Sequence, residues 1–151
     1  MSVRAASKQE IVMNFTSAPS ADDLDGLARQ IMASLPYEME GKCDDLVICI
    51  EEFPDETVEQ DMELGSPYEL LALYHSGREI APGIEKKIAN DESSLTLYRR
   101  PVLDLWCETG EDLEQLLREV MIEELARVFE FTEDDVSDML RRYDRNLMGA
   151  I

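Results

Sequence analysis

Basic residues and long apolar runs are both scarce in this sequence. Its 151 residues include 14 Lys and Arg against 34 Asp and Glu, which gives a formal net charge of −20. Nucleic acid is excluded as a partner because its phosphates require Lys and Arg, and anionic membrane surfaces are disfavoured for the same reason. No apolar run approaches the ~18 residues of a membrane span, and the N-terminus lacks the apolar region of a signal peptide. We therefore predict a cytoplasmic protein with no membrane segment.

Cysteine is also rare, and its positions do not suggest a metal site. The three cysteines are Cys43, Cys49 and Cys107. A zinc ribbon would need closely spaced pairs, and a secreted disulfide framework would need an even number. Reduced thiols that mostly fill the core are the expected state.

The acidic residues are most concentrated between positions 51 and 69, where no Lys or Arg occurs. This segment holds eight carboxylates: Glu51, Glu52, Asp55, Glu56, Glu59, Asp61, Glu63 and Glu69. A soluble acidic surface is one interpretation. The other is an interaction face for a protein partner, in which case the partner is expected to be basic and to bind here.

The length suits one domain with one core, and 44% of the residues are hydrophobic. Residues 1–19 mix small, polar and basic side chains and are predicted to form a flexible N-terminal arm. We expect the folded domain over residues 20–143 and a C-terminal tail over 144–151. No internal repeat and no change in amino-acid composition divides this range into two domains.

Hydrophobic periodicity predicts helices alternating with short strands. Ser20 is a suitable N-cap for a helix that Pro36 ends. Strands are predicted at 46–50 and in SLTLYRR, and a hairpin in ELLALYHSGREI with its turn at Ser76-Gly77. Pro101 suits the first turn of a helix, Thr109 is the predicted cap of the long helix that follows, and the last helix is predicted from about Glu133 to Tyr143. This order predicts an α+β fold with helices packed on a small sheet.

A glutamate interrupts the apolar stripe of the long helix. On a helical wheel Glu124 falls in the middle of that stripe, with Glu123 and Arg127 on its flank. The stripe consists of Leu113, Leu116, Leu117, Val120 and Val128. An unpaired ionised carboxylate there would cost several kcal/mol, so it must either pair with a cation or face a cleft as a general base.

Four stretches of the sequence resemble a small bacterial family of zincin-like metallopeptidases. They are IEEFPDE, SPYELLALYHSG, LTLYRRPVLDLW and LREVMIEELARVFEFTEDDV, and they occur in the family's order over roughly residues 20–140. The resemblance implies a compact zincin-like α+β domain whose long helix is the active-site helix. Members of the family carry H-E-x-x-H on that helix, followed by H-F-G and an acidic cluster.

At the motif itself this chain departs from the family. Aligned on Phe129, the glutamate is retained as Glu124, but the two histidine positions hold Glu123 and Arg127. Val128 and Glu130 replace the histidine and glycine that flank the phenylalanine. The acidic cluster is retained as Glu133, Asp134 and Asp135.

The chemistry of the motif makes this departure important. In H-E-x-x-H the two histidines bind zinc and the glutamate deprotonates the bound water. Arg127 would place a fixed positive charge where the cation binds, and His75, the single histidine, cannot replace two ligands. Read this way, Glu124 is a vestigial general base paired with Arg127, Glu123 and Arg127 mark former ligand positions, and no zinc or other cofactor is expected.

Three functional hypotheses follow. The first is a non-catalytic member of the family that acts as a binding or regulatory domain. The second is a hydrolase that binds a divalent cation such as Mg²⁺ or Ca²⁺ through Glu123, Glu124 and the cluster Glu133–Asp135. The third is a zinc peptidase with other ligands. An acidic protein-interaction module unrelated to peptidase chemistry is a further alternative.

Overall fold

The computed structural model describes residues 17–76 and 93–149, with the side chains of 143–149 excepted. We number the elements in chain order. The helices are α1 Ala21–Met32, α2 Glu56–Asp61, α3 Arg99–Thr109, α4 Leu113–Val128 and α5 Glu133–Gly149, the strands are β1 Leu46–Glu51, β2 Ala72–His75 and β3 Ser93–Tyr98, and short 3-10 turns lie at Tyr37–Met39 and Pro67–Glu69. The predicted N-terminal arm falls almost wholly outside these residues.

The three strands form a mixed sheet in the order β1-β3-β2. β3 is central: it runs parallel to β1 and antiparallel to β2. Its Leu95 and Leu97 are fully buried, as the alternation in SLTLYRR predicts. Helices cover this small sheet, so the α+β prediction is confirmed.

β2 is an edge strand within the part of the chain that the structure describes. Its antiparallel register pairs Ala72 with Leu97 and Tyr74 with Leu95. The predicted hairpin had its turn at Ser76-Gly77 and its second arm over 78–80, and residues 77–80 lie outside the described ranges. The partner that the structure gives to β2 is β3, which comes 18 residues after β2 ends, from His75 to Ser93.

Helix α4 is the centre of the core and is buried on more than one side. The predicted stripe is buried at Leu113, Leu116, Leu117 and Val120, but so are Arg118, Met121, Ile122, Leu125 and Ala126. Helices α1, α3 and α5 as well as β2 pack against α4, and together they cover the faces that the stripe leaves open. Arg118, only 3% exposed, donates to Glu114 and to the Ser34 hydroxyl, which offsets the cost of burying a cation.

The LTLYRRP segment ties one end of the sheet, where β1 and β3 both finish, to its surroundings. Arg99 Nε donates to the Pro19 carbonyl at 2.8 Å, and its Nη1 donates to Glu52 Oε1 at 2.9 Å. Arg100 lies over the ring of Phe53, and Pro101 occupies the first turn of α3. These contacts give each residue of the segment a structural role, from the strand end into the following helix.

The helix caps agree with the sequence except around Thr109. Ser20 forms a capping box with Asp23 at the start of α1. The prediction that Thr109 caps the long helix was wrong: Thr109 ends α3, and Asp112 caps α4 by accepting from Gln115 N. Gly110 separates the two helices because its φ of 71° is left-handed, a conformation that stops α3.

The last helix is longer than predicted. Helix α5 runs to Gly149, six residues beyond the expected end at Tyr143, so most of the predicted tail is helical. In the part of the chain that the structure describes, no helix is long and apolar enough to cross a membrane.

Candidate functional site

Glu124 faces the sheet and contacts its edge strand. Its Oε2 accepts the backbone N–H of Tyr74 in β2 at 2.9 Å. The side chain is 12% exposed, so water reaches it only from one side. The helical wheel predicts this orientation, but only the structure identifies Tyr74 as the donor.

Arg127 holds the same carboxylate from the other side. Its Nε donates to Glu124 Oε1 at 3.0 Å and its Nη2 donates to Glu124 Oε2 at 2.6 Å. This two-point contact fixes the geometry of the carboxylate as well as its charge. The predicted pairing is therefore present, although the arginine side chain is 60% exposed rather than buried. Glu123, the other former ligand position, lies exposed on α4.

A cleft of about 440 Å³ opens beside this contact. It lies between α2, β2 and the C-terminal end of α4, and Arg127 forms part of its wall. Leu73, Tyr74 and His75 contribute the strand side, and α2 contributes Val58 and Asp61, followed by Met62. Met62 is 43% exposed and is one of four large apolar side chains at the surface of the described ranges. The cleft thus combines apolar walls with carboxylates at its rim.

The end of α4 carries a local strain at the position where the family has glycine. Glu130 has φ 63°, in the left-handed region that only glycine adopts without cost. The Phe131 N–H donates to the Ala126 carbonyl at 2.9 Å, the bond that closes a helix with a left-handed residue. The backbone therefore retains the form suited to the family's glycine, although a glutamate now occupies it and lines the cleft.

The acidic cluster at Glu133, Asp134 and Asp135 lies apart from Glu124. All three residues are exposed in the first turn of α5 and none lines the cleft. Asp135 forms a capping box with Thr132, accepting from Thr132 N and donating its own N–H to the hydroxyl. Within residues 17–76 and 93–149, no three His, Cys, Asp or Glu side chains converge as a metal site requires. The geometry therefore does not assemble the carboxylate site of the second hypothesis.

Sequence reasoning missed two residues of the site. The sequence assigned His75 no role beyond its inability to replace two zinc ligands, but it lies in β2, half-buried, and lines the cleft. Tyr74 stacks edge-on against Phe129 with ring centroids 5.8 Å apart, and its hydroxyl donates to Ser93. The signal that could have found both is their place in LLALYHSG, one of the stretches that carry the family resemblance.

The carboxylates around the site act on the buried phenol of Tyr98 at the end of β3. Burial raises the pKa of the Tyr98 phenol, and the negative charges of Glu51, Asp55 and Glu124 raise it further. A negative charge on the Tyr98 phenol is therefore disfavoured beside these carboxylates.

This arrangement is that of a zincin-like domain: a long helix presents a glutamate to the edge strand of a small sheet, beside a cleft. The model of the zincin-like metallopeptidase family matches residues 43–142, from just before β1 into α5. The chain belongs to that family. No curated protein matches the sequence significantly.

Proposed function

We propose that this protein is a non-catalytic member of its family that acts as a binding or regulatory domain. The observation that carries the proposal is the two-point contact of Arg127 with Glu124. In the family motif a zinc ligand stands at the position of Arg127, and the glutamate at the position of Glu124 acts on the water that zinc binds. Here a guanidinium occupies that position and is hydrogen-bonded to the carboxylate that would serve as base.

The residues present do not fit zinc. A structural or catalytic zinc site takes neutral imidazole, thiolate or carboxylate ligands, and the guanidinium of Arg127 is a permanent cation that donates hydrogen bonds. His75 is the one imidazole of the chain and lines the cleft from β2, so it could supply at most one ligand. A carboxylate on its own is a weak base toward water, whose pKa falls from about 15.7 to about 7 only when a metal binds it.

The cleft supports binding of a basic protein segment. Seven of the eight carboxylates between residues 51 and 69 are exposed, and Asp61 stands in the wall of the cleft beside exposed Met62. Glu130 adds a carboxylate on the opposite wall. A partner with lysine or arginine next to an apolar side chain complements this surface, and the net charge of −20 attracts it from a distance.

Metal content tests the loss of the catalytic site. We expect less than roughly 0.1 equivalents of zinc in protein purified without chelator, because the motif offers no neutral nitrogen or thiolate ligand. The variant Glu123→His/Arg127→His rebuilds both ligand positions and is the matched control for zinc uptake. Stoichiometric zinc bound by the wild-type chain around residues 123–134, together with peptide hydrolysis, would overturn the proposal.

Peptide binding tests the cleft. A lysine-rich peptide should bind with an affinity that falls as salt rises, and Asp61→Asn should weaken it several-fold. Glu108→Gln removes an equal charge from α3, outside the cleft, and should leave the affinity nearly unchanged. Equal effects of both substitutions would mean that only net charge matters and that the cleft is not the binding surface.

A further inference from the structure

The backbone of β2 presents two sets of polar groups, one to β3 and one to the outside of the sheet. The Leu71 carbonyl accepts from Tyr98 N, so the backbone polar groups of Leu71 face β3. The direction of these groups alternates along a strand, so the N–H and C=O of Leu73 also face β3, while those of Ala72 and Tyr74 face outward. The N–H of Tyr74 confirms the phase, since it bonds to Glu124 and not to the sheet.

An outward N–H on an edge strand is the group that a further strand would use to join the sheet. Here the Glu124 carboxylate occupies it, and Arg127 in turn fixes that carboxylate with two hydrogen bonds. An added strand would have to displace the Glu124 carboxylate from the Tyr74 N–H while Arg127 holds that carboxylate in place. Such an exchange is costly because hydrogen bonds to charged groups are stronger than those between neutral groups.

From this geometry we infer that Glu124 is a latch on the edge strand: its carboxylate occupies the outward N–H of Tyr74 and so keeps a further strand from pairing with β2. A partner of the cleft is then recognised through its side chains, without adding a strand to β2. The second half of the inference rests on the proposed function, that the cleft binds a basic segment. The first half concerns the free protein alone. Together they specify the kind of partner: a basic segment whose backbone bonds are already satisfied, such as a short helix, rather than an extended chain.

Amide hydrogen exchange tests the latch in the free protein. We expect the Tyr74 amide to exchange at least about tenfold faster in Glu124→Ala than in the wild type, because opening of this amide no longer breaks a bond to a carboxylate. Arg127→Ala, which keeps that bond but frees the carboxylate to move, should give an intermediate rate. The Leu73 amide, which bonds to β3, is the internal control: in Arg127→Ala it should accelerate by no more than the overall loss of stability requires, and by less than the Tyr74 amide. Equal acceleration of both amides would reduce the contact to general stability and overturn the latch.

Two peptides of about eight residues test how the partner is read. Both contain lysine and leucine in equal number, one in strict alternation as in a strand, the other with leucines spaced three and four apart as on a helix. We expect the wild type to bind the helix-patterned peptide at least about tenfold more tightly, and Glu124→Ala to gain affinity for the alternating one together with protection of the Tyr74 amide.

The outcomes separate the two ideas. Preferential binding of the alternating peptide to the wild type, with protection of Ala72 and Tyr74, would overturn the inference. If neither peptide binds while Tyr74 exchange still depends on Glu124, the proposed function is overturned and the latch remains supported. Should Glu124→Ala fail to fold, the exchange contrast between Tyr74 and Leu73 in Arg127→Ala decides the same question.

Discussion

Removal of the Arg127 guanidinium should destabilise the fold by an amount that the structure allows us to bound. A fully exposed ion pair contributes at most about 1 kcal/mol, whereas loss of one partner of a buried pair costs about 3–5 kcal/mol. Arg127 is 60% exposed and Glu124 is 12% exposed, so the pair lies between these limits and nearer the first. Since Glu124 keeps the Tyr74 amide, we expect Arg127→Ala to lower the free energy of unfolding by about 1–1.5 kcal/mol.

The two carboxylate variants separate charge from hydrogen bonding. Glu124→Ala also leaves the partly buried Tyr74 N–H without its acceptor, so we expect a loss of about 2 kcal/mol. Glu124→Gln keeps an oxygen that can accept from this N–H and should cost less. The double variant Arg127→Ala/Glu124→Gln should recover part of the sum, with a coupling energy of about 1 kcal/mol.

Urea denaturation of the single and double variants gives these energies. Arg29→Ala is the matched control, because Arg29 is 64% exposed and pairs with Asp25, a carboxylate that is itself 34% exposed. We expect it to cost clearly less than Arg127→Ala does. The reasoning is refuted if Arg127→Ala costs no more than Arg29→Ala and the double variant is additive within about 0.5 kcal/mol.

Three further predictions concern strain, thiols and a phenol. Glu130→Gly should raise the free energy of unfolding by about 1 kcal/mol in urea denaturation, because φ 63° strains a residue with a Cβ, and a lower stability would refute this. In native protein the exposed Cys107 should react with a thiol reagent well before Cys43 and Cys49, because burial is the chief cause that raises the thiol pKa of those two. Equal reaction rates for the three thiols would contradict this. Because the pKa of Tyr98 is raised, the folded state holds that proton at a pH where the unfolded chain, with a pKa of about 10, has lost it, so stability should fall as pH rises above about 10. Urea denaturation at several pH values should show a smaller loss of stability above about pH 10 in Tyr98→Phe than in the wild type. An equal loss in both proteins would mean that other groups cause it.

The sequence predicts elements well where local chemistry determines them. The capping box at Ser20, the alternation before Arg99 and the apolar stripe of the long helix each depend on residues close together in the chain. The same locality explains the error at Thr109: Thr109 and Asp112 are both good caps, and the choice between them depends on Gly110 ending the preceding helix.

Long-range contacts account for what the sequence could not predict. The burial of Arg118 comes from the other helices that pack on α4, and a wheel drawn for a single helix contains no information about them. The acceptor role of Glu124 depends on Tyr74, which is 50 residues earlier in the chain. The resemblance placed Glu124 and Arg127 at the motif, but the exposure of Arg127 and the cleft beside it follow only from the arrangement of α2, β2 and α4.

The clamp made by Arg99 has a mechanical consequence. Its guanidinium joins the carbonyl of Pro19 to Glu52, so it closes a chain segment of 80 residues at the ends of β1 and β3. A pulling force applied through the N-terminal segment would reach the clamp before it reached the core, and would load the sheet from the ends of its parallel strands. Tension from a cargo domain fused ahead of Pro19 would therefore load β1 and β3 through Arg99 before it loaded β2, the strand that borders the cleft.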